Sequence, residues 1–91
     1  MSQCAACTVK IKNRLGLHAR PAMMFVDAAS ESQSEITVKG NGEEVDGKSI
    51  MQMMMLAATQ GVELEIIAQG KDAEAIIETL RSLVESGFGE E

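Results

Sequence analysis

The chain predicts an α+β fold: a four-stranded antiparallel sheet covered on one side by three helices, in the order β-α-β-β-α-β-α. Three observations lead there. Four short segments alternate apolar and polar residues with a period of two, and each shows a single apolar face. Three others repeat apolar residues at helical spacing. Glycine-rich turn signals separate these segments, with no repeat, linker or low-complexity stretch among them. Strands with one apolar face indicate a sheet that is buried on one side and wet on the other.

The first strand is marked by Cys7, Val9 and Ile11 alternating with Thr8, Lys10 and Lys12. Residues 13–17 form a loop pivoting on Gly16. From Ala19 the period changes: Ala22, Phe25, Val26 and Ala29 fall on one helical face. Pro21 is acceptable there because first-turn N–H groups lack partners within the helix. Met23 and Met24 fall off that face, so at least one is expected to be exposed near His18.

Ile36 and Val38 mark a second strand, Gly40-Asn41-Gly42 is a hairpin turn, and residues 43–46 return as a third. Ser49 is the natural N-cap of a short helix over residues 50–58, ended by Gln60-Gly61. Its spacing assigns Ile50, Met53 and Ala57 to the core and leaves Met51 and Met54 on an adjacent face. Val62, Leu64, Ile66 and Ala68 alternate in the fourth strand, which Gly70 breaks. The last helix, over residues 72–86, buries Ala73, Ile76, Ile77, Leu80, Leu83 and Val84. Gly87 at C′ and Phe88 at C″ suggest a Schellman cap, followed by a solvated end of Gly89 and two glutamates.

Composition narrows the function. Ninety-one residues make one domain, and 45% hydrophobic content supports a core. With two Phe, seven Met and no Trp or Tyr, that core is aliphatic and methionine-rich. Acidic balance with few aromatics can mean disorder, but the periodicities exclude it. A formal net charge of −6 argues against nucleic acid or an anionic membrane as partner. The longest apolar stretch, residues 53–58, is too short to span a bilayer, and Met1-Ser2-Gln3-Cys4 lacks a basic signal region. The expectation is a soluble cytoplasmic protein.

Cys4-Ala5-Ala6-Cys7 has redox or metal spacing. However, a structural zinc site wants four ligands, and His18 is the one other strong candidate. The pair also precedes a strand instead of following one. Cys7 is read as a small buried hydrophobe and Cys4 as part of a frayed terminus, so no metal or cofactor is expected. Nor is there a Ser/His/Asp arrangement, a P-loop or a Rossmann glycine pattern.

What remains is the single histidine, His18, at a helix start within Gly16-Leu17-His18-Ala19-Arg20-Pro21. Imidazole, with an unperturbed pKa of about 6.5, offers a neutral nucleophile at cytoplasmic pH. A helix start offers free N–H groups and a positive dipole end to an anion. The plain alternatives are an N-capping or exposed histidine, and a solvated arginine at position 20. A lone nucleophile without machinery to select a substrate favours a carrier used by other proteins over an enzyme.

Residues 16–22, Gly-Leu-His-Ala-Arg-Pro-Ala, followed by Gly47-Lys48-Ser49-Ile50-Met51, resemble the HPr family of phosphocarrier proteins of the phosphoenolpyruvate-dependent phosphotransferase system. The likeness covers essentially the whole chain and implies that family's open-faced β-sandwich. It implies that His18 accepts a phosphoryl group on Nδ1 from enzyme I and passes it to enzyme IIA components for sugar uptake. Arg20 and the N–H groups of Ala19 and Arg20 are then the phosphoryl cradle, the arginine fork suiting its oxygens. Ser49 resembles the serine modified by an HPr kinase/phosphorylase, where a charge near −2 would act mainly by repelling an acidic partner. Met23, Ile50, Met51 and Met54 resemble an apolar docking surface; methionine suits a face that must fit several partners. The carrier is expected to be a monomer.

The chain departs from common family patterns at Leu15, which removes a possible phosphate hydrogen bond, and at Asp27 and Ser30, which replace basic residues. Leu15-Gly16 and the ending from Ser86 to Glu91 resemble the nitrogen-branch relative, NPr. Two alternatives therefore stand beside sugar uptake: an NPr-type regulatory carrier, and an interaction protein acting through Ser49 and the Met51/Met54 patch.

Overall fold

Alternation in the chain becomes register in the sheet. In this computed structural model, which describes residues 3–90, β1 (Cys4–Lys10), β2 (Glu35–Gly40), β3 (Glu43–Asp46) and β4 (Glu63–Gln69) lie in the order β1-β4-β2-β3. All neighbours are antiparallel. The register sets Val9 opposite Leu64, Ile66 opposite Val38 and Val38 opposite Val45, all buried on the inner face. On the outer face Thr8, Glu65, Lys39 and Glu44 form one exposed row. Asn41 and Gly42, with φ of 50° and 77°, make the two-residue turn between β2 and β3.

Helices α1 (Ala19–Ser30), α2 (Ile50–Met55) and α3 (Ala73–Glu85) complete the predicted order. Phe25, with Ala22 and Ala29, anchors α1 in the core; full burial of such a ring is worth about 1.5–3 kcal/mol. Pro21 is buried as well, while Val26 and Leu83 are half-buried at the edges of their stripes. Asp72, the residue before α3, ties that helix to the α1–β2 connection. Its carboxylate accepts from Ser32 Oγ at 2.8 Å, Ser34 Oγ and Gln33 N–H at 3.2 Å. The bonds from Ser34 and Ser32 hold its pKa down at about 2. Lys48 Nζ adds a bond to Ser32 O at 2.8 Å.

Four expectations need correction. Cys4 is not frayed: it belongs to β1 and pairs with Gln69. Helix α2 stops at Met55, not at residue 58: the N–H groups of Leu56 and Ala57 close it on Met53 O and Met54 O, and the carbonyls that follow are bonded from elsewhere in the fold. Asn41 Nδ2 donates to Leu56 O at 2.9 Å and Ala57 O at 3.2 Å, and Leu17 N–H takes Ala58 O at 2.8 Å. Ala57, at φ 49°, is therefore exposed, and Ile50 is also at the surface; Met53 and Leu56 fill the core instead. Finally, the tail does not run into solvent. Gly87 takes the left-handed φ expected at C′, but Phe88 does so too and is buried. The chain curls into a 3-10 turn, Gly87–Gly89, closed by Glu90 N–H on Gly87 O at 2.9 Å. Of the two final glutamates, Glu91 lies outside the described residues, as do Met1 and Ser2 of the amino terminus.

Among the described residues no helix is long and apolar enough to cross a membrane.

Candidate functional site

His18 is held by an anchored loop. Gly16 N–H bonds Asn13 O at 3.1 Å, closing a turn over residues 13–16. Gly16 has φ 69°, and a Cβ there would meet Ala58 O at 2.5 Å, so the loop lies directly on the segment after α2. Leu17 is buried, and its N–H takes Ala58 O. His18 follows as the N-cap residue of α1: extended, with its carbonyl accepting Ala22 N–H at 3.0 Å. Its side chain makes no capping bond, which answers the capping alternative. Pro21 has no N–H and the first turn holds no acidic residue, so the N–H groups of Ala19 and Arg20 form the positive end of α1.

The imidazole is engaged on one side. His18 Nε2 lies 2.9 Å from Glu90 Oε1 and 3.1 Å from Oε2. A carboxylate only accepts, so Nε2 carries the hydrogen. In the neutral ring this leaves Nδ1 with its lone pair free, a nucleophilic nitrogen on a side chain 37% exposed. Arg20 Nη1 stands 3.6 Å from Glu90 Oε2, with the arginine side chain 70% exposed and the glutamate 14%. Asn13 Nδ2 donates to Glu90 Oε1 at 3.1 Å and to Gly16 O at 2.7 Å. The His18 bond first, then the Asn13 bond and the charges of His18 and Arg20, hold the Glu90 carboxyl below its usual range against the opposing effect of desolvation.

His18, Arg20 and the helix start thus come together as the sequence suggested, joined by Glu90 and Asn13, which it did not single out. The signal for Glu90 was the apolar Phe88 between two glycines: a buried ring there pins the tail. Ser49 caps α2, its Oγ accepting Gln52 N–H at 3.2 Å. Every exposed large apolar side chain among the described residues lies on the His18 loop, α1 or α2: Leu15, Met23, Ile50, Met51, Met54 and Met55. Met51 is 78% exposed. Met55 is an addition to the expected set.

The cysteines stand apart from this site. Both are free; Cys4 is exposed and Cys7 buried, on opposite faces of β1, which prevents a shared ligand. Burial pushes the Cys7 thiol up, with the Arg81 guanidinium opposing. Among the described residues no cluster of three His, Cys, Asp or Glu residues is arranged to hold a metal ion.

A family model described as the PTS HPr component phosphorylation site matches residues 5–86. The phosphocarrier protein HPr of Neisseria meningitidis serogroup A is 42% identical over 83 residues, 91% of this chain and 93% of the relative. The phosphocarrier protein NPr of Proteus mirabilis is 43% identical over 84 residues, again 91% and 93%. Among solved structures, HPr-C-His from Thermoanaerobacter tengcongensis superposes with a TM-score of 0.91 at 46% identity, covering 96% of this chain and 98% of that one. An imidazole at a helix start, the four-stranded open sheet and these likenesses agree, and the chain belongs to the HPr family of phosphocarrier proteins.

Proposed function

We propose that Nδ1 of His18 accepts a phosphoryl group from a phosphohistidine of enzyme I and passes it to a histidine of an enzyme IIA component. The observation that carries this is the carboxylate of Glu90 on Nε2, which leaves Nδ1 as the nucleophile. In the first transfer Nδ1 forms a bond to phosphorus as the donor's P–N bond breaks; in the second the Nδ1–P bond breaks as a nitrogen of the acceptor histidine bonds to phosphorus. The Nε2 proton stays on the ring, donated to the Glu90 carboxylate, which stabilises the cationic ring that results. Arg20 and the N–H groups of Ala19 and Arg20 take the phosphoryl oxygens. The protein supplies an oriented nucleophile and an anion site, and in this reading it acts as a carrier and not as an enzyme.

In this reading it works as a cytoplasmic monomer, without cofactor, nucleic acid or membrane contact. Partners seat on Met23, Ile50, Met51 and Met54. Ser49, half-buried at the start of α2, is the site where an HPr kinase/phosphorylase would add a regulatory charge beside that surface.

Phosphoenolpyruvate and enzyme I should add one phosphoryl group, acid-labile and alkali-stable, read by intact mass. His18→Ala should abolish it with the fold intact, and Arg20→Lys should slow it by keeping charge while losing the fork. A label that survives acid, or persists in His18→Ala, overturns the assignment, with Ser49 the first suspect. A chain that takes no label is an interaction protein acting through Ser49 and Met51/Met54.

The nitrogen-branch reading is supported by the NPr relative, which matches as well as HPr does. Labelling rates with the enzyme I of each branch decide between them. Light scattering checks the monomer.

A further inference from the structure

Asn13 is 1% exposed and has no part in the phosphoryl chemistry above. A buried carboxamide is costly unless its hydrogens are used. Both are: one goes to Gly16 O at 2.7 Å and the other to Glu90 Oε1 at 3.1 Å. Both partners are acceptors, so the amide orientation is settled by chemistry, and Oδ1 is the atom left without a partner. One side chain therefore grips the loop that carries His18 and the tail that carries Glu90, which lies 77 positions after Asn13.

The Glu90 carboxylate needs such a grip. Its other cationic contact, Arg20, is long at 3.6 Å and mostly exposed, and exposed ion pairs hold geometry weakly. The Asn13 bond is charge-assisted and comes from a side chain that cannot move without breaking the Gly16 bond. We propose that Asn13 is a positioning residue for phosphoryl acceptance: it pins the Glu90 carboxylate on Nε2 of His18 and so keeps Nδ1 turned out as the attacking atom. Asn13 touches no reacting atom and acts only through Glu90. The inference rests on the phosphocarrier reading.

A double-mutant cycle tests it, using Asn13→Leu, Glu90→Ala and the double variant of the full chain. Two quantities are read: the rate of labelling by phosphoenolpyruvate plus enzyme I, and the ring tautomer of neutral His18 from imidazole 15N shifts. Asn13→Leu should slow labelling by about tenfold, the scale of a modest misplacement of a reacting group. It should also turn a pure Nε2–H ring into a tautomer mixture. In the Glu90→Ala background the same substitution should change neither. Equal slowing in both backgrounds, or a tautomer indifferent to Asn13, would make Asn13 a shaper of the loop and overturn the proposal. If Asn13→Leu does not fold, Asn13→Asp keeps the shape while removing the donor, and the same comparison applies. A native chain that takes no label refutes the carrier reading, while its tautomer still judges the pinning.

Discussion

Replacing Gly16 with alanine would test how the His18 loop is seated. Two costs are built in. At φ 69° an L-residue is left-handed, which costs about 1–2 kcal/mol. The added methyl would also stand 2.5 Å from Ala58 O and 2.8 Å from Thr59 Cα, both backbone atoms that cannot swing away. Forcing such an overlap costs about 1–3 kcal/mol, while the stiffer unfolded chain returns about 0.5–1 kcal/mol. The net loss is roughly 1–4 kcal/mol. Gly42→Ala is the matched control: its φ is 77°, but a Cβ there meets nothing within 4 Å. The difference between the two variants isolates the clash, about 1–3 kcal/mol. For a domain of this size that is a gap of roughly 5–20 °C in thermal midpoint, measurable by calorimetry or circular dichroism. Relief by moving the loop would break the 2.8 Å bond from Leu17 N–H to Ala58 O and displace His18, so acceptance of phosphoryl should fall as well. Midpoints within about 3 °C of each other would mean that the loop does not rest on residues 58–59, and the account of its anchoring would be wrong.

Other perturbations separate surface from core. Met51→Asp or Met54→Asp should weaken partner binding, measured by titration calorimetry, while stability changes by under about 0.5 kcal/mol. Met53→Ala, in a fully buried position, should cost about 2–5 kcal/mol in denaturant unfolding. Asp72 has its folded pKa depressed from 3.8 to about 2, so its contribution is complete above the unfolded value and drains away as pH falls through about 2. Unfolding midpoints followed from pH 5 to pH 2 should therefore drop less steeply in Asp72→Asn than in the native chain. Cys4→Ser with Cys7→Ala should leave phosphoryl transfer intact; stoichiometric zinc in the purified protein would contradict that reading.

The element order was legible because burial on one side of a sheet writes a period of two, and a helix on that sheet writes a period of 3.6. The Gly16–Ala22 motif carried the site for a similar reason: a helix start, a histidine and an arginine within three positions need no distant partner to come together. Where only local spacing was available, the reading failed at boundaries. Ala57 has helical spacing from Met53, yet it sits outside α2 because Asn41 and Leu17, far off in sequence, use the carbonyls around it.

By itself, then, the sequence determined the α+β order, the apolar face of each strand, the histidine at a helix start and the exposure of Met51 and Met54. These follow from patterns a few residues long, which solvent and backbone geometry enforce wherever the segment lies. Tertiary structure alone decided which ring nitrogen of His18 is engaged. That depends on Glu90, 72 residues away, brought back by a buried Phe88 and held by a buried Asn13. No local periodicity encodes such a contact, because it arises only when the core draws the end of the chain over the loop near its beginning.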